Sequence, residues 1–294
     1  MIFVRRSMRA LLSGCDFFRA FMSKHHPGVA LFVRYSKHIS ETTNDTSGMS
    51  EISRYWEIDL VRGIAILMMI LFHTVFDLYF FRILPVNVFS GFWRYFAYAT
   101  AALFLVLVGI SLTISHARAA SAITKTRLWL KFVYRGAGIF LLGLLITFCT
   151  WLYLGEGFVV FGILHLIGIS IMISPLFFPL KKYTIPVGLL FIATGWFFAG
   201  LTGPLWLIPL GIHPATFWSV DYEPIFPWFG MVLIGMGLGE YLYPDGVRRF
   251  TIPSLPQATI RKITFPGRHS LLIYLIHQPV IILILSVVTG TKVW

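Results

Sequence analysis

The stretch of sequence that decides the fold class is residues 58–81, IDLVRGIAILMMILFHTVFDLYFF. A bilayer core of about 30 Å is crossed by about 20 helical residues, each of which rises about 1.5 Å. The stretch is long enough for this and is strongly apolar, and its only acidic or basic side chains are Asp59, Arg62, His73 and Asp77. It therefore predicts a transmembrane helix that carries four polar groups into the membrane.

Six further apolar runs follow the first one along the chain. Together they predict an all-α, polytopic transmembrane helix bundle of about seven spans. Between the runs Thr184–Leu201 and Ile225–Tyr243 lies a short, proline-rich apolar piece, and we expect a re-entrant or interfacial loop near 204–222. The further runs are Phe96–Ser115, Gly136–Leu154, Phe158–Leu180, Thr184–Leu201, Ile225–Tyr243 and Ser270–Thr289.

The composition of the chain excludes a soluble enzyme. Of its 294 residues 57% are hydrophobic and only 12% are charged, against about 25% charged in soluble domains. The net charge of +12 comes from Lys and Arg between apolar runs, which is typical of membrane topology and not of nucleic-acid binding. We predict a multi-pass cell-membrane protein with three basic loops in the cytoplasm and its N-terminus inside.

Residues 1–48 differ from the rest because they are basic and then polar. We expect them to form a poorly ordered N-terminal extension, or to precede a true start at Met49. The transmembrane domain is predicted over residues 49–294. The two cysteines, Cys15 and Cys149, have no metal-ligand spacing and are predicted to be free thiols.

Polar groups inside a membrane cost several kcal/mol and need a partner or a role. Asp59 and Arg62 share one helix face near the predicted cytoplasmic end. They form either an ion pair that fixes helix depth or a site where Arg62 meets a phosphate or pantetheine group. Arg268 and His269 stand at the same membrane edge, where anchoring is the default role.

Histidines occur in three of the predicted spans. His73 and Asp77 are four residues apart, about 16 Å and 22 Å above Arg62 along the helix, and a carboxylate at that spacing can set a histidine tautomer. Each of His73, His165 and His277 can equally be a packed core histidine. No His-x3-His pair occurs, so we expect no metal site. The glycines at 235, 237 and 239 are predicted to serve helix packing.

Several motifs of the sequence resemble those of membrane-bound acyltransferases. The run Ile58–Gly63 followed by His73 is similar to the heparan-alpha-glucosaminide N-acetyltransferase catalytic-domain family, in its prokaryotic branch, and to the related acyltransferase-3 family. The runs 104–111, 161–165 and 267–279 also resemble that branch. The lysosomal enzyme of the first family has its proposed histidine in the loop after the first helix. The corresponding loop here, Arg82–Gly91, contains none, so the resemblance places the base on His73.

The resemblance implies an acyltransferase that moves an acyl group, most simply acetyl, from acyl-CoA to an amine or hydroxyl of a sugar-type acceptor. His73, oriented by Asp77 and assisted by His165, is the expected catalytic group. Asp221 and Tyr222 are expected to bind the small-molecule or glycan acceptor. The only expected cofactor is the co-substrate acetyl-CoA or another acyl-CoA, without a metal. Its predicted binding residues are Arg62, Arg135, Arg268, His269 and His277.

The main alternative is a transporter or lipid-binding membrane protein without chemistry, because polar clusters at both ends of a bundle also describe a permeation path. The expected partners are the lipid bilayer and the acceptor, with no nucleic acid. Association into a homo-oligomer is left open.

Overall fold

The computed structural model describes residues 54–290, and these residues are helical with no strand among them. The predicted N-terminal extension, residues 1–48, lies outside the described residues. The helices are α1 (Trp56–Phe80), α2 (Gly91–Ala120), α3 (Lys125–Leu154), α4 (Ile163–Ile173), α5 (Thr184–Phe198), α6 (Ile225–Leu242), α7 (Gln257–Ile263), α8 (Phe265–Arg268) and α9 (Ser270–Thr289).

Five helices, α1, α2, α3, α6 and α9, are long and apolar enough to cross a membrane. The segments Ile163–Leu176 and Phe178–Phe198 pass the same test only as a pair, which is bent by 101°. The protein is therefore a multi-pass membrane protein, and residues 54–290 contain five candidate spans, or six if the bent pair is one span. The predicted arrangement of seven spans needs both halves of the pair to cross separately, and it stays a prediction together with the cytoplasmic N-terminus.

A bend interrupts one predicted span. The run Phe158–Leu180 is predicted as a single span, and in the structure its α-helix ends at Ile173. Two short 3-10 turns follow, and each contains a proline, Pro175 or Pro179, near its start. Proline has no backbone N–H and clashes with the preceding turn, so the helix cannot continue straight through this part of the chain.

The helices α2 and α3 are longer than the apolar runs that predicted them, at 30 residues each. The runs Phe96–Ser115 and Gly136–Leu154 stop where charged residues begin, but the helical backbone does not. The additional turns carry cations such as Arg118 and Lys125, whose long stems can lie along apolar surface while their charges reach water.

Glycines bring the central helices into backbone contact. A Cβ on Gly109 of α2 would overlap the carbonyl of Val232, and a Cβ on Gly235 of α6 would overlap the carbonyl of Val106. On the other side of α6, Gly188 and Gly230 meet in the same way between α5 and α6. The predicted packing role of the glycines in 235–239 is confirmed, since small residues replace side-chain burial with close backbone contact in membrane helices.

The first and last spans pack against each other beside this central group. Helix α9 contacts α1, and the short helix α8 contacts the beginning of α1. The outer faces of the bundle are apolar, as shown by Trp196 and Val288, which are 84% and 76% exposed and would face lipid. The predicted loop near 204–222 contains a 3-10 turn, Leu205–Leu210, and is held by isolated bridges to neighbouring backbone. Its depth in the membrane stays a prediction.

Candidate functional site

One polar cluster lies at the end of α1 that is predicted to be cytoplasmic. Asp59 is buried at 2% exposure, and its Oδ1 accepts a hydrogen bond from Arg62 Nη1 at 2.8 Å. The other guanidinium nitrogen, Nη2, donates to Ser111 Oγ of α2 at 3.0 Å. On the opposite side, Arg268 Nε lies 3.8 Å from Asp59 Oδ2. The buried carboxylate therefore stands between two guanidinium groups that come from distant parts of the chain.

A close contact between α1 and α8 places Arg268 in this cluster. A Cβ on Gly267 would overlap the backbone carbonyl of Asp59, and a Cβ on Gly63 would lie 3.2 Å from the backbone nitrogen of Gly267. Both arginine side chains keep some exposed surface, 20% for Arg62 and 32% for Arg268. Asp59 thus accepts a hydrogen bond from Arg62 and lies within ion-pair distance of Arg268, while part of each arginine side chain stays exposed.

The second polar cluster lies further along α1, where α1 meets α9. The rings of His73 and His277 are in edge-to-face contact, with centroids 4.8 Å apart. His73 Nδ1 lies 2.9 Å from the Met69 carbonyl and His277 Nδ1 lies 2.6 Å from the Tyr274 carbonyl. Because a carbonyl only accepts hydrogen bonds, each neutral ring carries its proton on Nδ1 and leaves the Nε2 lone pair available.

One turn beyond the two rings, Asp77 is bonded to α9. Both of its carboxylate oxygens accept hydrogen bonds from Gln278 Nε2, at 2.7 Å and 2.9 Å. Among the described residues no hydrogen bond joins Asp77 to His73, so the expected orientation of His73 by Asp77 is corrected. The Met69 carbonyl sets the tautomer of His73, and Asp77 fastens α1 to α9.

His165 has a structural environment at the start of α4. Its Nδ1 accepts a hydrogen bond from the Gly162 N–H at 3.2 Å, so the proton lies on Nε2, which is 3.4 Å from Thr147 Oγ1. The ring is buried between Phe140 and Phe161. The contacts of the described residues do not bring His165 against His73 or His277, and its predicted assistance to catalysis stays a prediction.

The acidic loop before α6 packs on the same end of α4. Asp221 Oδ2 accepts a hydrogen bond from the Ile163 N–H at 3.4 Å and so caps the helix from outside. Burial raises the pKa of Asp221 to about 6. Burial also raises the pKa of Glu223 well above its ordinary value, with a further contribution from Asp221.

The remaining predicted residues lie in three different places. Tyr222 donates from its hydroxyl to the Ile208 carbonyl at 2.7 Å, and burial raises its pKa to about 12. His269 is exposed next to Arg268, with its ring against Phe265. Arg135 is exposed on α3, and the described contacts do not join it to Arg62 or Arg268. Their predicted binding roles stay predictions.

Two site residues, Ser111 and Gln278, were not predicted although both stand in segments that the sequence analysis singled out. Gln278 follows His277 and precedes Pro279, and a long polar side chain inside an apolar span was a signal for a partner on another helix. Ser111 gave a weaker signal, because serine is common in the interior of membrane helices.

The two clusters are joined along α1 by packed side chains. Ile66 and Met69 lie between Arg62 and His73 on the same helix face and are 0% and 5% exposed. A flexible substrate group bound at one cluster would therefore have to pass beside these residues, or displace them, to reach the other cluster. Within residues 54–290 there is no group of three or more potential metal ligands.

A comparison with protein-family models finds one match, which is described as heparan-alpha-glucosaminide N-acetyltransferase, catalytic, and covers residues 54–279. The match therefore includes both polar clusters, from Asp59 to Gln278. No match was found among curated proteins or among solved structures.

Proposed function

The chain belongs to the heparan-alpha-glucosaminide N-acetyltransferase catalytic-domain family, and from this premise we propose that it is a membrane-embedded acyltransferase. It would move an acyl group, most simply acetyl, from acyl-CoA to an amine or hydroxyl of a sugar-type acceptor. The observation that carries the proposal is the arrangement of His73. Its Nδ1 is bonded to the Met69 carbonyl, its Nε2 lone pair is left available, and its ring is in contact with that of His277 on α9.

The arginine cluster consists of Arg62, Arg268 and the Asp59 carboxylate between them. It is the proposed site for the anionic part of the donor. Arg62 and Arg268 present guanidinium groups that Asp59 holds in place, and guanidinium groups bind phosphate oxygens with charge-assisted hydrogen bonds. His269 lies next to Arg268 and Arg135 lies on α3, where they would add positive charge around the donor. We propose that the donor enters here from the cytoplasm, in line with the predicted topology.

His73 is the proposed general base. The acceptor N–H or O–H proton would pass to His73 Nε2 while the electron pair of the acceptor atom attacks the thioester carbonyl carbon. The carbon–sulfur bond then breaks and the thiol leaves with the electron pair. A positioned base contributes about 10² to 10⁴-fold to such a reaction, and alignment of the two substrates contributes more.

The acidic loop is the proposed acceptor side of the site. Asp221 and Tyr222 would contact acceptor hydroxyl groups, and Glu223 next to them offers a further carboxyl group. Because burial raises the pKa of Asp221 to about 6, this carboxyl group can both donate and accept hydrogen bonds close to neutral pH. Groups of this kind suit the mixed donor and acceptor pattern of a sugar.

The alternative function, transport or lipid binding without chemistry, gains one observation from the structure. The bent pair of α4 and α5 is either a broken span or a re-entrant loop, and transporters commonly place broken spans at their binding sites. Transporters of that kind usually contain two such spans in corresponding halves, whereas a single bent pair occurs in residues 54–290. We therefore keep acyl transfer as the proposal and transport as the result that would replace it.

The test is acceptor-dependent release of CoA by the purified full chain in detergent. The donor is acetyl-CoA, and the acceptor probes are methyl α-glucosaminide for an amine and methyl α-glucoside for a hydroxyl. Acyl transfer predicts CoA release with at least one acceptor, matched by acetylated sugar in mass spectrometry. The absence of any acetylated product, together with sugar flux into liposomes that needs no CoA, would replace the proposal with transport.

A further inference from the structure

The contact between His73 and His277 places two imidazoles where one base would be enough to activate the acceptor. Both rings are on spans that pack against each other, and both have Nδ1 bonded to a carbonyl of their own helix. Their chemistry is therefore confined to the Nε2 atoms. Two imidazole rings in contact suit a reaction in which a proton is removed from one group and delivered to another.

His277 has an unusual environment for a structural residue. It is 9% exposed, and its Nε2 is buried without a hydrogen-bond partner among residues 54–290. Leaving a buried polar atom unsatisfied costs about 1–3 kcal/mol, and such atoms in folded proteins call for a specific explanation. A substrate group that meets this nitrogen during the reaction would supply the missing partner.

The position of His277 in the chain indicates which substrate it would meet. It lies two turns into α9, and this helix begins directly after Arg268 of the arginine cluster. His73 is the more exposed of the two rings, as expected of the one that meets an acceptor entering from the other side. The position along the chain and the difference in exposure favour His277 as the ring that meets the donor thioester and His73 as the ring that meets the acceptor.

We propose that His277 is the general acid that protonates the departing thiolate of the donor, an inference that rests on the proposed acyl transfer. His277 starts as a neutral ring with its proton on Nδ1, so the proton that it gives to sulfur from Nε2 is the one that His73 has taken from the acceptor. The acyl donor and the acceptor thereby become the acylated acceptor and a free thiol. This proton passes from His73 Nε2 to His277 Nε2, directly or through one water, before it reaches the sulfur, and both rings end in their starting state.

The experiment compares two donors that differ in how much they need an acid. The thiol of acetyl-CoA is a poor leaving group, whereas S-acetyl-thionitrobenzoate releases a stabilised aryl thiolate that needs no proton. The full chain in detergent is assayed as wild type, His277→Gln and His73→Gln, with methyl α-glucosaminide as acceptor. The ratio of kcat/KM for the two donors is taken on each preparation, so that any loss of folded protein cancels.

We expect His277→Gln to lower kcat/KM for acetyl-CoA by about 10²-fold or more and to lower it by less than about tenfold for the aryl thioester. His73→Gln should lower both values alike, because the base is needed with either donor. An equal fall with both donors in His277→Gln, or rescue by the aryl thioester in His73→Gln instead, would overturn the assignment. If the wild type transfers acetyl from neither donor, the proposed function itself fails.

Discussion

The side chain of Gln278 donates to both carboxylate oxygens of Asp77, at 2.7 Å and 2.9 Å, and so joins the last span to the first one directly beside the two histidines. Asp77 is 2% exposed, and a buried carboxyl group without its hydrogen bonds is strongly unfavourable. The pair therefore fixes the distance between α1 and α9, on which the contact between His73 and His277 depends.

The first prediction concerns this pair. Gln278→Met keeps the length of the side chain but removes both hydrogen bonds, and it should lower the free energy of unfolding by about 2–3 kcal/mol, because bonds to charged groups contribute about 1.5–3 kcal/mol. The double variant Asp77→Leu/Gln278→Met should recover most of this loss, since no buried polar group is left unpaired. Thermal unfolding in detergent measures both variants. If the loss of stability in the double variant equals the sum of the losses in Gln278→Met and in Asp77→Leu alone, the two side chains do not interact.

The second prediction concerns Gly267. A Cβ at this position would overlap the Asp59 carbonyl, so Gly267→Ala should push α8 away from α1, lower stability by about 1–3 kcal/mol and raise the KM for acetyl-CoA. Gly138→Ala on α3 is the matched control, because a Cβ there meets nothing within 4 Å. The account of the arginine cluster is contradicted if Gly267→Ala behaves like Gly138→Ala.

The third prediction concerns binding of the donor. Arg62→Gln removes a positive charge that is held between Asp59 and Ser111, and the KM for acetyl-CoA should rise about 10 to 100-fold, as expected for loss of a charge-assisted hydrogen bond. The exposed cation Arg127 at the start of α3 serves as control, and Arg127→Gln should leave KM within about twofold, because exposed charges contribute little. An unchanged KM in Arg62→Gln would remove this residue from the donor site.

The fourth prediction concerns pH. Burial raises the pKa of Asp221 to about 6, above its value in the unfolded chain, so between about pH 4 and pH 6 the folded protein binds more protons than the unfolded one. Stability should therefore rise as the pH falls through this window, by about 2 kcal/mol from Asp221. Asp221→Asn should flatten this part of the profile, measured by thermal unfolding at several pH values. An Asp221→Asn profile that keeps the wild-type slope would contradict this assignment.

Hydropathy predicts the existence of the spans but not the way they meet. The membrane-spanning character of α1 and α9 follows from runs of apolar residues, and the Asp59–Arg62 pair follows from helical spacing, because both are local properties. The contact between Asp77 and Gln278 joins residues 201 positions apart, and a single sequence does not state which helices are neighbours. The spacing of Asp77 and His73 suggested a local bond, but a partner on another helix took both carboxylate oxygens.

Helix ends and bends were predicted less well for a related reason. Charged residues end an apolar run without ending the helix, which is why α2 and α3 extend past their runs. Pro175 and Pro179 lie inside an apolar run and interrupt the helix without changing its hydropathy. The arginine cluster also depends on the close contact between Gly63 and Gly267, which brings Arg268 to Asp59. The sequence alone does not indicate that these two glycines are neighbours.

The most direct measurement is the rate of acetyl transfer from acetyl-CoA to methyl α-glucosaminide by wild type and His73→Gln, with His116→Gln as the matched control. His116 is a histidine of α2 that belongs to neither cluster. Its ring stacks on that of Phe178, with the ring centroids 3.9 Å apart. The account predicts transfer by the wild type and the control, and a rate at least about 10²-fold lower in His73→Gln. Equal transfer by folded His73→Gln and wild type would contradict it.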